Sequence, residues 1–216
     1  MYIYQHLGLG DHIICNSIIR HYSKLNDIIY LFVKPHNYKN VSFMFNDLKN
    51  IKYIQCDDND ANKYISSNNI TPLRIGFDKL DRSIGFDVSF YKQLGFNFET
   101  KWSNFYINRD MDKEKKVYDR LVDGDYIFVH DDMVRGYKIN DKYLPNCNMI
   151  RPNMEYDFFD FCYLIENAKE IHLMESSYKC LVEHLNIKTD KLFYHTYIRN
   201  YPKTIRVTSK YQWKEY

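Results

Sequence analysis

Apolar runs of strand length alternate with amphipathic segments along the first half of the chain. One run begins at residue 2, and others lie at 28–33, 51–56 and 73–77. Continuous apolar runs of this length are typical of buried parallel strands. Segments with helical character separate them, at 13–22, 38–45 and 57–67. This alternation of strands and helices predicts a parallel sheet with right-handed crossovers.

The second half repeats the alternation after a helix at 86–95 that Gly95 ends, an irregular aromatic stretch at 96–110 and a charged helix at 112–121. Further strands are predicted at 126–130, 148–151, 170–174 and 191–195, and further helices at 158–167 and 178–185. The tail from Tyr201 is expected to form a closing helix or an arm that returns over the first half. We therefore predict an α/β protein with two Rossmann-like parallel-sheet halves, residues 1–110 and 111–216, that face a central cleft.

Composition narrows the class of protein. Of 216 residues, 45% are hydrophobic and 17% aromatic, which is enough to bury a sizeable core. The net charge of +2 offers no electrostatic footprint for nucleic acid. Five scattered cysteines without a C-x-x-C pair indicate reduced thiols and a cytoplasmic protein. No apolar run is long enough to predict a membrane span.

The first stretch with candidate chemistry is the turn Gly8-Leu9-Gly10-Asp11, between the first strand and the first helix. Gly8 and Gly10 are expected to turn the backbone with positive φ and to leave room for a ligand. Asp11 is expected at the N-cap, with its carboxylate in the crevice at the end of the strand. A strand-to-helix turn without a ligand fits the same residues. Ile13 replaces the third glycine of a dinucleotide fingerprint, and no Walker A lysine follows.

A second candidate turn is Glu175-Ser176-Ser177, which follows a predicted strand and opens a helix. The two hydroxyls are good caps, and free backbone N–H groups at a helix start favour a phosphate. Glu175 could accept hydrogen bonds from a ribose. The alternative is a capping motif without a ligand.

The polar stretch His130-Asp131-Asp132 ends another predicted strand, and Arg135 and Lys138 follow it. One interpretation is a donor pocket in which the cations neutralise a diphosphate. A polar surface loop is the other interpretation.

Metal ligands are weakly indicated. Asp58-Asn59-Asp60 resembles the D-x-D pair that holds a divalent metal in many glycosyltransferases, but the residues also suit a helix start. His6 and His12 lack the spacing of a zinc site. We therefore expect no metal and no other cofactor.

Taken together, these motifs resemble a small GT-B-type glycosyltransferase. The stretch Leu7-Gly8-Leu9-Gly10-Asp11 resembles the heptosyltransferase-like family, in which a Gly-Asp turn after the first strand carries the catalytic base. Glu175-Ser176-Ser177-Tyr178 resembles the acidic Ser-Ser turn that binds nucleotide-sugar phosphate in the carboxyl half of GT-B enzymes, including fucosyltransferase-like ones. The segment 129–131 loosely resembles the His-containing strand end of that second group.

The resemblance implies a metal-independent and inverting glycosyltransferase with residues 1–110 on the acceptor side and 111–216 on the nucleotide-sugar side. Asp11 would be the general base. The implied donor-binding residues are Gly8, Gly10, His130, Asp131, Arg135, Lys138, Glu175, Ser176, Ser177 and Tyr178. The partners would be a nucleotide-sugar donor and a glycan or other hydroxyl acceptor, with hexosyl, heptosyl or fucosyl transfer.

Three other functions fit parts of the sequence. A non-catalytic module for a nucleotide or nucleotide-sugar would keep the turn at 175–177 without needing Asp11. A sugar-nucleotide epimerase would share the two halves and need no acceptor. A metal-dependent GT-A transferase would use Asp58 and Asp60.

Overall fold

The computed structural model of the chain describes residues 1–77, 80, 81, 83–198 and 206–216. These residues form two compact units. The first holds Met1–Asn108 together with residues 206–208. The second holds the described residues from Arg109 to 198 together with Ser209–Tyr216.

The first unit is built on a parallel sheet of four strands, as the alternating pattern predicts. The strands are β1 (Tyr2–Gln5), β2 (Ile29–Val33), β3 (Ile51–Gln55) and β4 (Leu73–Ile75), in the spatial order β3-β2-β1-β4. The helices are α1 (Leu9–Ile14), α2 (Asn16–Ser23), α3 (Tyr38–Met44), α4 (Asp58–Ser67), α5 (Phe86–Gln93) and α6 (Thr100–Ser103). Ile3, Leu31 and Phe32 have no exposed surface, because they lie in the two central strands.

Two predictions for the first unit were wrong. The helix expected over 13–22 is two helices, α1 and α2, which meet at Cys15. The stretch expected to be irregular contains the short helix α6. The prediction for Gly95 is confirmed, since it follows α5 with φ of +75°.

The second unit contains a parallel sheet of five strands. These are β5 (Tyr126–His130), β6 (Asn148–Ile150), β7 (Glu170–Leu173), β8 (Leu192–Tyr194) and β9 (Lys214–Glu215), in the order β6-β5-β7-β8-β9. Its α-helices are α7 (Met111–Leu121), α8 (Cys162–Asn167) and α9 (Ser177–Val182). The connection from β5 to β6, described over its whole length, contains two 3₁₀ turns and no α-helix. The predicted α/β class is therefore confirmed in both units.

The tail returns to the first unit and then to the second. Residues 201–205 lie outside the described part of the chain. Thr208 donates from its backbone N–H to Asp87 of the first unit at 2.9 Å, which confirms the predicted arm for the described residues 206–208. Residues 209–216 contain the strand β9, so the closing helix is not found in the described part of the tail.

Each sheet has one point at which the strand order reverses. In the first sheet β1 lies between β2 and β4, so the reversal falls between β1 and β4. In the second sheet β5 lies between β6 and β7, so it falls between β5 and β7. In open parallel sheets, ligands bind beyond the carboxyl ends of the strands at this switch point.

Two further expectations concern the environment of the chain. All five cysteines are free thiols, and Cys147 is the exposed one among them. Among the described residues, no helix combines the length and the apolar character that crossing a membrane requires.

Candidate active site

The Gly8–Asp11 turn follows β1 at the switch point of the first sheet, but its local structure differs from the prediction. Helix α1 begins at Leu9, and Gly8 is its N-cap with φ of −70°. The Gly8 carbonyl accepts the His12 N–H at 3.2 Å, which starts the helix before Asp11. Asp11 is therefore a residue of the first helical turn and not the N-cap. The expected positive φ was also wrong, because Gly8 is extended and Gly10 lies inside α1.

Asp11 keeps a partly exposed side chain in this turn. A carboxylate in the first turn interacts favourably with the positive end of the helix dipole. Its Oδ2 lies so close to Gly8 that a Cβ at position 8 would be 2.5 Å from it. The absence of a side chain at Gly8 therefore makes room for the carboxylate of Asp11.

Three side-chain contacts hold the chain around this turn. Asn37 Nδ2 donates to the Leu7 carbonyl at 2.9 Å. His6 Nε2 and the Gly76 carbonyl are 2.9 Å apart, which joins the ends of β1 and β4 across the switch point. The third contact joins Gln5 to His12.

Aromatic rings pack beside the His6 contact. The His6 ring stacks on Phe77 with a centroid distance of 4.4 Å, and Phe90 lies 6.0 Å from it. Gly76 has φ of +82°, and a side chain there would collide with the Phe90 ring. The end of β4 is thus tightly packed against the end of β1.

The turn at 174–176 lies at the switch point of the second sheet. Ser176 is the N-cap of α9, and its Oγ accepts the Lys179 N–H at 3.4 Å. This confirms the predicted capping role for Ser176, whereas Ser177 is the first helical residue. Glu175 accepts a hydrogen bond from the Tyr194 hydroxyl. Glu175, Ser176 and Ser177 are all partly exposed.

The two turns have the same construction. Three residues connect β1 (ending at Gln5) to α1, and three connect β7 (ending at Leu173) to α9. The last of the three is the N-cap in both, Gly8 and Ser176. Each helix has six residues.

Tyr178 is placed differently from its neighbours. Its side chain is 5% exposed and packs against Phe128, Phe158 and His130. Burial raises the pKa of its hydroxyl well above the usual value. This position favours a packing role over the predicted contact with donor.

Asp131 holds the loop that follows β5. Its Oδ1 accepts the Ile139 N–H at 2.7 Å, and its Oδ2 accepts from Arg151 Nε at 2.9 Å. The Asp131 side chain is 5% exposed, whereas that of Arg151 is 35% exposed. His130, at the end of β5, is partly exposed and contacts the Tyr178 ring.

Arg151 is a candidate cation that the sequence analysis missed. It directly follows β6, the neighbour of β5, so it lies at the carboxyl edge of the second sheet. Its place after a short strand and before Pro152 was visible in the sequence. The proximity of Arg151 to Asp131 could not be predicted from the sequence, because this contact depends on the order of the strands in the sheet.

The two cations that the sequence singled out form exposed ion pairs. Arg135 contacts Asp132 at 3.1 Å and Lys138 contacts Asp141 at 3.0 Å. Their side chains are 65% and 54% exposed. Exposed pairs of this kind hold a side chain weakly.

The acidic stretch at 57–60 forms a helix start. Asp57 caps α4 by accepting the Asp60 N–H at 2.8 Å, which agrees with the simpler interpretation of these residues. Asp58 pairs with Lys34 at 2.7 Å. Among the described residues, no three His, Cys, Asp or Glu side chains lie together in a group that could hold a metal ion.

Comparisons with known proteins agree with this architecture. No protein-family model matches the chain, and no curated protein matches it. A similar solved structure is that of a glycosyl transferase family 9 protein from Veillonella parvula DSM 2008, with a TM-score of 0.58 and 12% sequence identity. The match covers 99% of this chain and 86% of that protein. At this identity the similarity shows the fold, which is GT-B-like.

Proposed function

We propose that the protein is a glycosyltransferase that moves a sugar from a nucleotide-sugar donor to a hydroxyl group of a glycan or another acceptor. The observation that carries this proposal is the position of the two polar turns. Each follows a strand at the switch point of its own sheet, where parallel sheets bind ligands. The GT-B-like fold gives the proposal its reaction class.

Asp11 is the proposed general base. Its carboxylate is partly exposed and lies at the first switch point. In the proposed reaction the acceptor hydroxyl gives its proton to this carboxylate. The acceptor oxygen bonds to the anomeric carbon while the bond from that carbon to the donor phosphate breaks. The nucleoside diphosphate leaves with the electron pair, and a direct displacement of this kind inverts the anomeric centre.

The second unit is the proposed donor-binding unit. The Ser177 hydroxyl and the backbone N–H groups at the start of α9 would contact the diphosphate. Glu175 would accept a hydrogen bond from a ribose or sugar hydroxyl. Arg151, which is partly exposed, would offset the negative charge that develops on the leaving group.

Arg135, Lys138 and His130 have a smaller part in this proposal than the sequence suggested. Arg135 and Lys138 would have to exchange their carboxylate partners for phosphate, and the exposure of both cations permits such an exchange. His130 would contact the donor from the end of β5. No metal ion is required in this proposal, because cationic side chains and backbone N–H groups would neutralise the charge of the diphosphate.

A thermal-shift screen tests the proposal. The purified chain is heated with ADP-, GDP-, UDP- and CMP-sugars, each with and without EDTA. A ligand present at about 100 times its dissociation constant adds roughly 2.7 kcal/mol to the free energy of unfolding, a readily visible shift. We expect one nucleotide family to raise the melting temperature, equally with EDTA. A shift that EDTA abolishes would contradict metal independence, and no shift with any member would contradict the donor class.

Product analysis separates the related functions. A glycosyltransferase transfers the sugar slowly to water and faster once an acceptor is present, and it releases nucleoside diphosphate from an ADP-, GDP- or UDP-sugar and CMP from a CMP-sugar. Conversion to an isomeric sugar nucleotide without an acceptor would indicate an epimerase. Binding without any turnover, to water or to a panel of glycans, would indicate a non-catalytic module.

A further inference from the structure

A buried polar pair spans the turn that carries Asp11. Gln5 is the last residue of β1, and His12 follows Asp11 in α1. Gln5 Nε2 and His12 Nδ1 are 2.6 Å apart, and both side chains have an exposure of 0%. The contact therefore links the end of the strand directly to the helix and encloses residues 6–11.

The direction of this hydrogen bond follows from the chemistry of the two groups. The amide nitrogen of Gln5 donates, so Nδ1 of His12 accepts and the single proton of a neutral imidazole lies on Nε2. Burial lowers the pKa of His12 to about 3. The ring is therefore a neutral acceptor at neutral pH, and the contact does not open through protonation.

Burying this pair of polar side chains costs free energy of folding. Gln5 Oε1 and His12 Nε2 are buried without a hydrogen-bond partner among the described residues. Two apolar side chains of similar shape would avoid that cost. Departures from good packing chemistry are expected where a site needs a defined geometry.

We propose that His12, held by Gln5, is a positioning residue for Asp11. The imidazole anchors α1 at the residue next to Asp11, and this fixes the rotation of the first helical turn about its axis. Asn37 holds the preceding segment through the Leu7 carbonyl, so the turn is fixed on both sides of Gly8. The inference rests on the proposed role of Asp11 as general base.

Two substitutions at His12 separate the nitrogen atoms of its ring. In His12→Asn the amide oxygen lies near the position of Nδ1 and still accepts from Gln5, while the Nε2 position is lost. In His12→Gln the longer side chain reaches the Nε2 position, while the Nδ1 acceptor is lost. The two variants are therefore matched in polarity but differ in the Gln5 contact.

The assay uses the sugar nucleotide that gives the largest shift in the ADP-, GDP-, UDP- and CMP-sugar screen, and it measures release of the nucleotide product, a nucleoside diphosphate or, from a CMP-sugar, CMP. We expect His12→Gln to lower kcat by about 100-fold with an unchanged donor KM, because a displaced catalytic group costs rate and not donor binding. His12→Asn should retain most of the kcat. An equal loss of kcat in His12→Asn and His12→Gln, or no loss of kcat in either variant, would overturn the inference.

A double variant is the control for misfolding of the single variants. Gln5→Met with His12→Leu removes the contact together with both unsatisfied atoms, so the fold should be at least as stable as in the wild type. We expect it to lose kcat as His12→Gln does. A double variant with wild-type kcat would overturn the positioning role.

Asp11→Asn in the same assay distinguishes this inference from the proposed function. If Asp11→Asn keeps its turnover, Asp11 is not the base and the proposed mechanism fails first. If Asp11→Asn loses turnover and His12→Gln does not, the mechanism stands and the positioning inference alone is wrong.

Discussion

The carboxylate of Asp11 lies against the α-carbon of Gly8, three residues before it, with Oδ2 at 2.5 Å from where a Cβ of residue 8 would be. Gly8 is extended, with φ of −70° and ψ of 146°, so its backbone suits any residue. A side chain at residue 8 would therefore collide with the Asp11 carboxylate but would not strain the backbone.

Gly8→Ala should displace the Asp11 carboxylate and lower turnover without weakening donor binding. Gly8→Ser adds the same Cβ together with a capping hydroxyl, so it should lower turnover equally and be more stable than Gly8→Ala by about 1 kcal/mol. Turnover with the stabilising sugar nucleotide and the melting temperature check this. Normal turnover in both variants would show that the contact does not fix the carboxylate.

The buried ion pair of the first unit should be a large determinant of stability. Lys101 Nζ and Asp87 Oδ2 are 2.7 Å apart with both side chains 0% exposed, and Thr208 donates to Asp87 from its backbone N–H and its hydroxyl. Lys101→Met leaves the Asp87 carboxylate buried without its cation. We expect a loss of about 3–5 kcal/mol in urea unfolding.

Lys92→Met is the matched control for that substitution. Lys92 pairs with Asp81 at 3.1 Å, but its side chain is 66% exposed. Its loss should change the free energy of unfolding by no more than about 0.5 kcal/mol. Similar effects of the two substitutions would mean that the Lys101 pair is not shielded from water.

Two buried histidines should make the fold sensitive to acid. Burial lowers the pKa of His12 from 6.5 to about 3, and burial together with His172 lowers the pKa of His195 from 6.5 to about 4. The unfolded chain therefore binds more protons below pH 6.5. The contribution of these neutral histidines to the free energy of unfolding is fully present above pH 6.5. It is lost as the pH falls towards 4 and then 3.

Each of the two histidines should contribute up to about 1.4 kcal/mol per pH unit within its window. Urea unfolding at a series of pH values measures the slope. His195→Phe should make the slope smaller between pH 6.5 and 4, because it removes one of the buried histidines whose pKa is lowered. An equal slope in wild type and His195→Phe would contradict the account.

Removal of metal should have no effect on donor binding or turnover. Asp57 caps α4, Asp58 pairs with Lys34 and Asp60 pairs with Lys63, so these carboxylates have structural partners. Asp58→Asn should therefore leave turnover unchanged, with or without EDTA. A turnover that requires added Mg²⁺ or Mn²⁺ and is lost in Asp58→Asn would favour a metal-dependent transferase.

The sequence predicts most strands of both sheets because they are short, largely apolar runs between polar or helical segments. It fails where one helical pattern continues through a break, as at Cys15 between α1 and α2. It also misjudged the start of α1, because glycine is a poor helix former and Gly10 suggested a start after it. The carbonyl of Gly8 nevertheless begins the helical hydrogen bonds.

The candidate site could be predicted only in part. The two turns are local, so the residue types at 8–11 and 175–177 indicate them directly. The contact between Asp131 and Arg151 depends on β5 and β6 being neighbours. The contact between Asp87 and Thr208 joins residues 121 positions apart. Sequence spacing carries no sign of contacts of this kind.

In the proposed mechanism, Asp11 takes the proton of the acceptor. Asp11→Asn tests this role most directly, in parallel with Asp58→Asn as a carboxylate control in the same unit. Both variants are compared for the thermal shift with the stabilising sugar nucleotide and for turnover of that donor. We expect Asp11→Asn to keep the shift and lose turnover, and Asp58→Asn to keep both. Wild-type turnover in Asp11→Asn would contradict this role.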